Sequence, residues 1–122
     1  MNHSANINHD AVLRARVALL GSAELPIRQR VAAYRVLSQV SPLAYLPRLV
    51  VTLIDYSRQE FADQPEISLA LRAESAAAAR KLLDLDPGRA HLLAVTLQQK
   101  SRALSRQEDI ATVHAVISAL DS

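Results

Sequence analysis

Apolar residues along this chain gather in long Ala- and Leu-rich stretches interleaved with Arg, Gln and Ser, without the one-by-one alternation that a half-buried strand requires. Ala, Leu, Arg and Gln favour helix, and glycine, which disfavours it, occurs only at Gly21 and Gly88. The fold class that follows is all-α. Gly21 reads as a helix stop, Ser41-Pro42 and Asp86-Pro87 each read as an N-cap followed by a proline in the first turn, and Ser105 to Glu108 reads as a capping box. Six helices are predicted, over 9–20, 24–40, 42–60, 65–85, 87–104 and 106–120. Pro47 complicates the third. Inside a helix it removes one hydrogen bond and crowds the carbonyl of Leu43, so the helix either runs through it from Pro42 or begins properly at Leu46 after a separate turn.

The pattern repeats along the chain. Ala32, Ala33, Arg35, Leu37 and Pro42 recur as Ala77, Ala78, Arg80, Leu82 and Pro87 at a shift of 45 residues, with Val40 and Leu85 as a conservative pair. In the next helix Leu49, Val51, Thr52, Leu53 and Ser57 recur as Leu93, Val95, Thr96, Leu97 and Ser101 at a shift of 44, a slip of one residue in the connecting turn. A weaker third copy aligns Ala76, Leu82, Leu85 and Asp86 with Ala111, Ile117, Leu120 and Asp121 at 35, and Leu13 and Val17 match Leu49 and Leu53 at 36.

A helix pair repeating in this way, with small residues in its second helix and a proline opening the next unit, resembles the tetratricopeptide repeat. Pro42, Ala44, Tyr45, Leu46, Pro47 and Leu49 form a Pro-x-Ala-Tyr-Leu-Pro-x-Leu opening that looks like the longer-helix variety in tandem arrays of bacterial regulators. The length predicts one domain, 1–122, with a flexible tail at 1–8, and the resemblance covers nearly all of it in three units at about 10–41, 42–86 and 87–122. It is irregular. The large aromatic usual early in the first helix is absent, no glycine marks the turn within each hairpin, and the middle unit carries extra residues between Tyr56 and Leu69. The implied fold is a stack of antiparallel helix hairpins, an α-α superhelix, with Leu49, Val50, Leu53, Leu82, Leu85, Leu93, Leu97 and Ile117 in the core. A single hairpin cannot bury its apolar face alone and gains a core only by stacking. In proteins of this resemblance the first helix of each unit lines a concave surface that receives a partner's peptide or helix. The register then brings Arg16, Thr52 and Thr96 into one column and Leu19, Asp55 and Gln99 into the next, the expected partner-binding positions. The competing reading makes them solvated edges of amphipathic helices.

Charge changes this picture little. The 122 residues carry 14 basic and 12 acidic side chains, a net charge of +2, which points to neither a disordered tail nor a nucleic-acid-binding field. The first 60 residues hold seven arginines against Asp10, Glu24, Asp55 and Glu60, a balance of +3, while the remainder holds seven basic against eight acidic residues, −1. An acidic partner for the N-terminal half is one reading and scattered surface arginines the other. There is no cysteine, hence no disulfide framework, thiolate nucleophile or cysteine-based zinc site. The first nine residues lack a basic stretch followed by an apolar run, and the longest apolar run, 49–53 with only Thr52 interrupting, is too short to span a bilayer, so no membrane association is expected and a cytoplasmic location is.

Chemistry-bearing motifs are missing. No nucleophile elbow, phosphate-cradling glycine loop, dinucleotide fingerprint or His-Glu-x-x-His occurs, so neither catalysis nor a cofactor is expected. His91 and His114 fall on the fifth and sixth helices without a third ligand, which favours packing residues over a metal site. Phe61 is either an exposed anchor or the plug of a long connection. Tyr34, Tyr45 and Tyr56 do not share one helix face, which disfavours a base-stacking platform. Ala76 to Ala79 reads as a close-packing surface. Three functions remain: an adaptor or small chaperone holding a client segment in a helical groove; an immunity protein or antitoxin blocking a partner's active site; and a helical DNA-binding regulator placing Arg28, Arg30 and Arg35 on the backbone. Val113, Val116, Ile117 and Leu120 on the last helix are also candidates for pairing with a second copy.

Overall fold

The computed structural model describes residues 8–21, 25–104 and 107–120. They form six helices and, among the described residues, no strand: α1 (His9–Gly21), α2 (Ile27–Val40), α3 (Pro42–Glu60), α4 (Pro65–Leu85), α5 (Pro87–Arg102) and α6 (Gln107–Leu120). The all-α class is observed. Each helix packs on the one before it, and α4 lies against α3, α5 and α6.

Local chemistry explains most boundaries. Asn8, in the expected tail, caps α1: its side-chain oxygen accepts from the amides of Asp10 at 2.9 Å and Ala11 at 3.3 Å. Helix α2 starts at Ile27 rather than at Glu24, which lies outside the described residues. Pro26 holds an extended backbone there, and its carbonyl takes the first helical bonds from Gln29 and Arg30. Asp86 caps α5 by accepting from the Arg89 amide at 3.2 Å. Ser41 occupies the same position before α3, but its hydroxyl makes no cap bond. The chain runs helically through Pro47, so no separate turn precedes Leu46. The Ser41 carbonyl accepts from Ala44 and Tyr45, each at 3.1 Å, and the carbonyl to which Pro47 cannot donate belongs to Leu43, an exposed residue within the first turn of the helix. Helix α5 ends at Arg102, two residues early, where Ala103 and Leu104 close a tighter turn on the carbonyls of Lys100 and Ser101. The capping box at Ser105 lies outside the described residues.

The main core draws on α2 to α6 and includes Val31, Val50, Leu53, Ile54, Leu82, Leu97, Val113 and Val116. Its centre is the α3–α4 contact, where Ser75, Ala78 and Ala79 present a small-residue face and the buried Ser75 hydroxyl donates to the Val50 carbonyl at 3.0 Å. Ala78 and Ala79 of the alanine run are thus packed, and Ala77 faces out. A smaller cluster of Val12, Ala15, Ala33 and Leu37 joins α1 to α2, with Tyr45 of α3 against its edge. Tyr34 and Tyr45 bring their rings within 6.1 Å across the α2–α3 hairpin. Phe61 sits half-buried with its ring edge-on to Tyr56 at 5.0 Å, closing the turn before α4.

Burial follows the shifts of 45 and 44 at several columns. Ala33 and Leu37 are buried like Ala78 and Leu82, and Ala32 and Arg35 are exposed like Ala77 and Arg80. Leu49, Leu53 and Ser57 are buried like Leu93, Leu97 and Ser101. Both serines donate to the carbonyl three residues back, at 2.9 and 2.8 Å. Seven of the eight expected core residues are buried; Leu85 is 51% exposed. Leu85 ends α4 as Val40 ends α2, but Val40 rests on the α1–α2 cluster, whereas Leu85 is among the exposed large apolar side chains. Val113, Val116, Ile117 and Leu120 are all buried within this chain's own core. They offer no face to a second copy, because α6 turns its apolar side onto α4 and α5.

Candidate functional site

A cleft of about 570 Å³, open along one side, runs between α3 and α5. Helix α3 contributes Pro47, Arg48, Val51 and Thr52, α5 contributes Arg89, Leu92, Leu93 and Thr96, and Tyr34 of α2 closes one end. The cleft exists because α3 and α5 touch each other sparsely: α3 rests mainly on α4 and α2, and α5 on α6 and α4. Apolar side chains floor it. The threonines are locally satisfied: Thr52 Oγ1 donates to the Arg48 carbonyl at 2.6 Å and Thr96 Oγ1 to the Leu92 carbonyl at 3.1 Å. These bonds satisfy the two hydroxyls within their own helices. The charged lining residues are Arg48 and Arg89. Arg48 lies 5.7 Å from the Tyr45 ring centroid, and Arg89 pairs with Asp86 at 3.4 Å across one turn of α5.

Asp55 stands one turn further along α3. It takes Arg58 at 2.8 Å and, from α5, Lys100 at 3.2 Å. One carboxylate thus serves two cations and ties the two walls together at that end.

The structure separates the six predicted partner-binding residues. Thr52 and Thr96 line the cleft; Asp55 and Gln99 follow on the same two helices, Asp55 in the ion-pair cluster and Gln99 exposed beside Lys100. Arg16 and Leu19 belong to α1, which packs on α2 alone among the described helices. Arg16 is exposed and Leu19 is half-buried on the α1–α2 cluster. Thr52 is buried rather than a solvated helix edge.

Tyr34, Pro47, Arg48, Arg89 and Leu92 line the cleft without having been singled out as groove residues. A signal for two of them existed. Arg48 and Leu92 stand one helical turn before Thr52 and Thr96, and the shift of 44 relates them as a column of their own. Arg89 follows no such column.

Elsewhere, the Glu74 carboxylate on α4 accepts two hydrogen bonds from Arg35 on α2, at 2.8 and 2.7 Å, and this pairing raises the arginine pKa above its ordinary value. Of the three arginines that a DNA-binding reading places on the backbone, Arg35 is thus engaged within the chain, while Arg28 is exposed. His91 and His114 are both exposed, and among the described residues no cluster of three or more His, Asp or Glu side chains is placed to hold a metal. No described helix is long and apolar enough to cross a membrane.

Comparison with family models, with curated proteins and with solved structures finds no match.

Proposed function

We propose that this protein is an interaction module, a small adaptor or chaperone of tetratricopeptide-like build, whose α2/α3/α5 cleft holds a segment of another protein. The observation that carries the reading is the cleft itself, open on one side and lined by Tyr34, Pro47, Val51, Leu92 and Leu93 beside two arginines and two threonines whose hydroxyls are satisfied within the chain. Leu92 is 67% exposed and Val95 41%. Leu92 lines the trough, where a bound segment would withdraw it from water and gain on the order of 25 cal/mol for each Å² of apolar area covered. The walls stand on the shared support of α4, so the trough is formed before a partner arrives and little ordering cost falls on binding.

Site-specific photocrosslinking in the source cell tests this. A benzophenone side chain at Leu92 is expected to capture a second polypeptide, and the same group at Leu20, on the far face of α1, is not. Capture from Leu20 alone, or from neither position, would contradict the assignment.

A further inference from the structure

We infer that the segment received by the cleft is acidic as well as apolar: aliphatic or aromatic side chains for the floor, flanked by Asp or Glu for the rim. The inference rests on the proposed role of the cleft and specifies its occupant. Every charged residue lining the trough is an arginine. Arg48 is exposed, and among the described residues no carboxylate lies within ion-pair distance of it; its neighbour is the Tyr45 ring, which steers the guanidinium without neutralising it. Arg89 has Asp86, but at 3.4 Å, within one helical turn and with both side chains more than a third exposed, an arrangement that an incoming carboxylate readily displaces. The far end of the trough is also electropositive, since Arg58 and Lys100 share the single carboxylate of Asp55. A carboxylate held beside an apolar wall meets less water and less screening than one on open surface, and the planar guanidinium fork binds it with two donors. A basic segment would meet like charge from all of these groups.

The experiment pans a library of random dodecapeptides on the full chain and measures the affinity of the recovered peptides for defined variants. Recovered sequences are expected to combine Leu, Ile, Val or Phe with Asp or Glu. Their affinity is expected to fall tenfold or more with R48E/R89E, and to change less than twofold with R28E/R80E, which reverses two exposed arginines outside the cleft lining. Circular dichroism and melting temperature check that all variants stay folded. Peptides without carboxylates whose binding is abolished by Leu92→Asp would overturn the acidic occupant and keep the cleft. Equal losses in the two charge-reversal variants would overturn it in favour of general electrostatics. Peptides indifferent to Leu92→Asp, or no enrichment at all, would remove the cleft reading itself.

Discussion

At the C-terminal end of the helix stack α6 turns Val113, Val116, Ile117 and Leu120 inward and leaves Gln107, Ala111, His114 and Ala115 outside, whereas at the N-terminal end α1 buries only Val12 and Ala15 and leaves Leu13, Val17 and Leu20 at 62, 58 and 87% exposure. The two helices are nearly equal in length, at 14 and 13 residues. What differs is the company each keeps. Helix α6 rests on α4 and α5 together, so a full apolar stripe finds partners, while α1 rests on α2 alone and only one edge of it is covered. The position a residue holds in a helix therefore does not decide its burial; the number of neighbours around that helix does. Leu13 and Val17 occupy the column of the buried Leu49 and Leu53, yet among the described helices α1 meets only α2.

The largest effect should separate the two ends directly. Leu120→Ala removes a buried side chain from α6 and is expected to cost about 2 to 5 kcal/mol in chemical denaturation, as are Leu53→Ala and Leu97→Ala in the middle of the core. Leu20→Ala, the same change in the exposed stripe, is expected to stay within about 0.5 kcal/mol. Equal costs for Leu120→Ala and Leu20→Ala would break the comparison.

An intermediate effect concerns the joint between the two regions. Enlarging the small-residue face with Ala79→Leu should destabilise by about 1 to 3 kcal/mol, because α4 cannot move off α3 without opening the main core. The Arg35–Glu74 pair links α2 to the same helix, but it is exposed, so Glu74→Ala is expected to cost about 0.2 to 1 kcal/mol, with the loss shrinking at high salt. A larger, salt-independent loss would mean that the pair does more than bridge two surfaces. Hydrogen exchange should show the smallest signature: amides of α1 opening before those of α6, since fewer buried contacts hold them.

Much of the fold was legible because its boundaries are written in local chemistry. Ser41-Pro42 and Asp86-Pro87 set two helix starts without reference to the rest of the chain, and Ala33, Leu37, Ala78 and Leu82 declare a packed face through spacing alone. The misjudged features depend on tertiary surroundings. Pro47 is tolerated because the carbonyl it orphans lies near an exposed helix start. Leu85 is exposed although Val40, which ends its own helix in the same way, is packed, and the α6 residues expected to pair with a second copy are taken up by this chain's own core. The site was legible in half. Register brings Thr52 and Thr96 together, and walking back one turn reaches Arg48 and Leu92, but Tyr34 arrives from another helix and Arg89 from outside the repeating columns. Arg16 and Leu19 fail to join them because the register presumes a contact between α1 and α3 that the described helices do not make.

The most direct test of the central claim is a comparison of partner affinity between Leu92→Asp in the cleft and Leu20→Asp on the open end, using the polypeptide captured at Leu92 as the probe. Both positions are exposed, so both variants should keep the wild-type melting temperature. A tenfold or greater loss, equivalent to about 1.4 kcal/mol, is predicted for Leu92→Asp with none for Leu20→Asp. The reverse order, or undiminished binding by Leu92→Asp, would contradict the account and move the recognition surface to α1 or away from both.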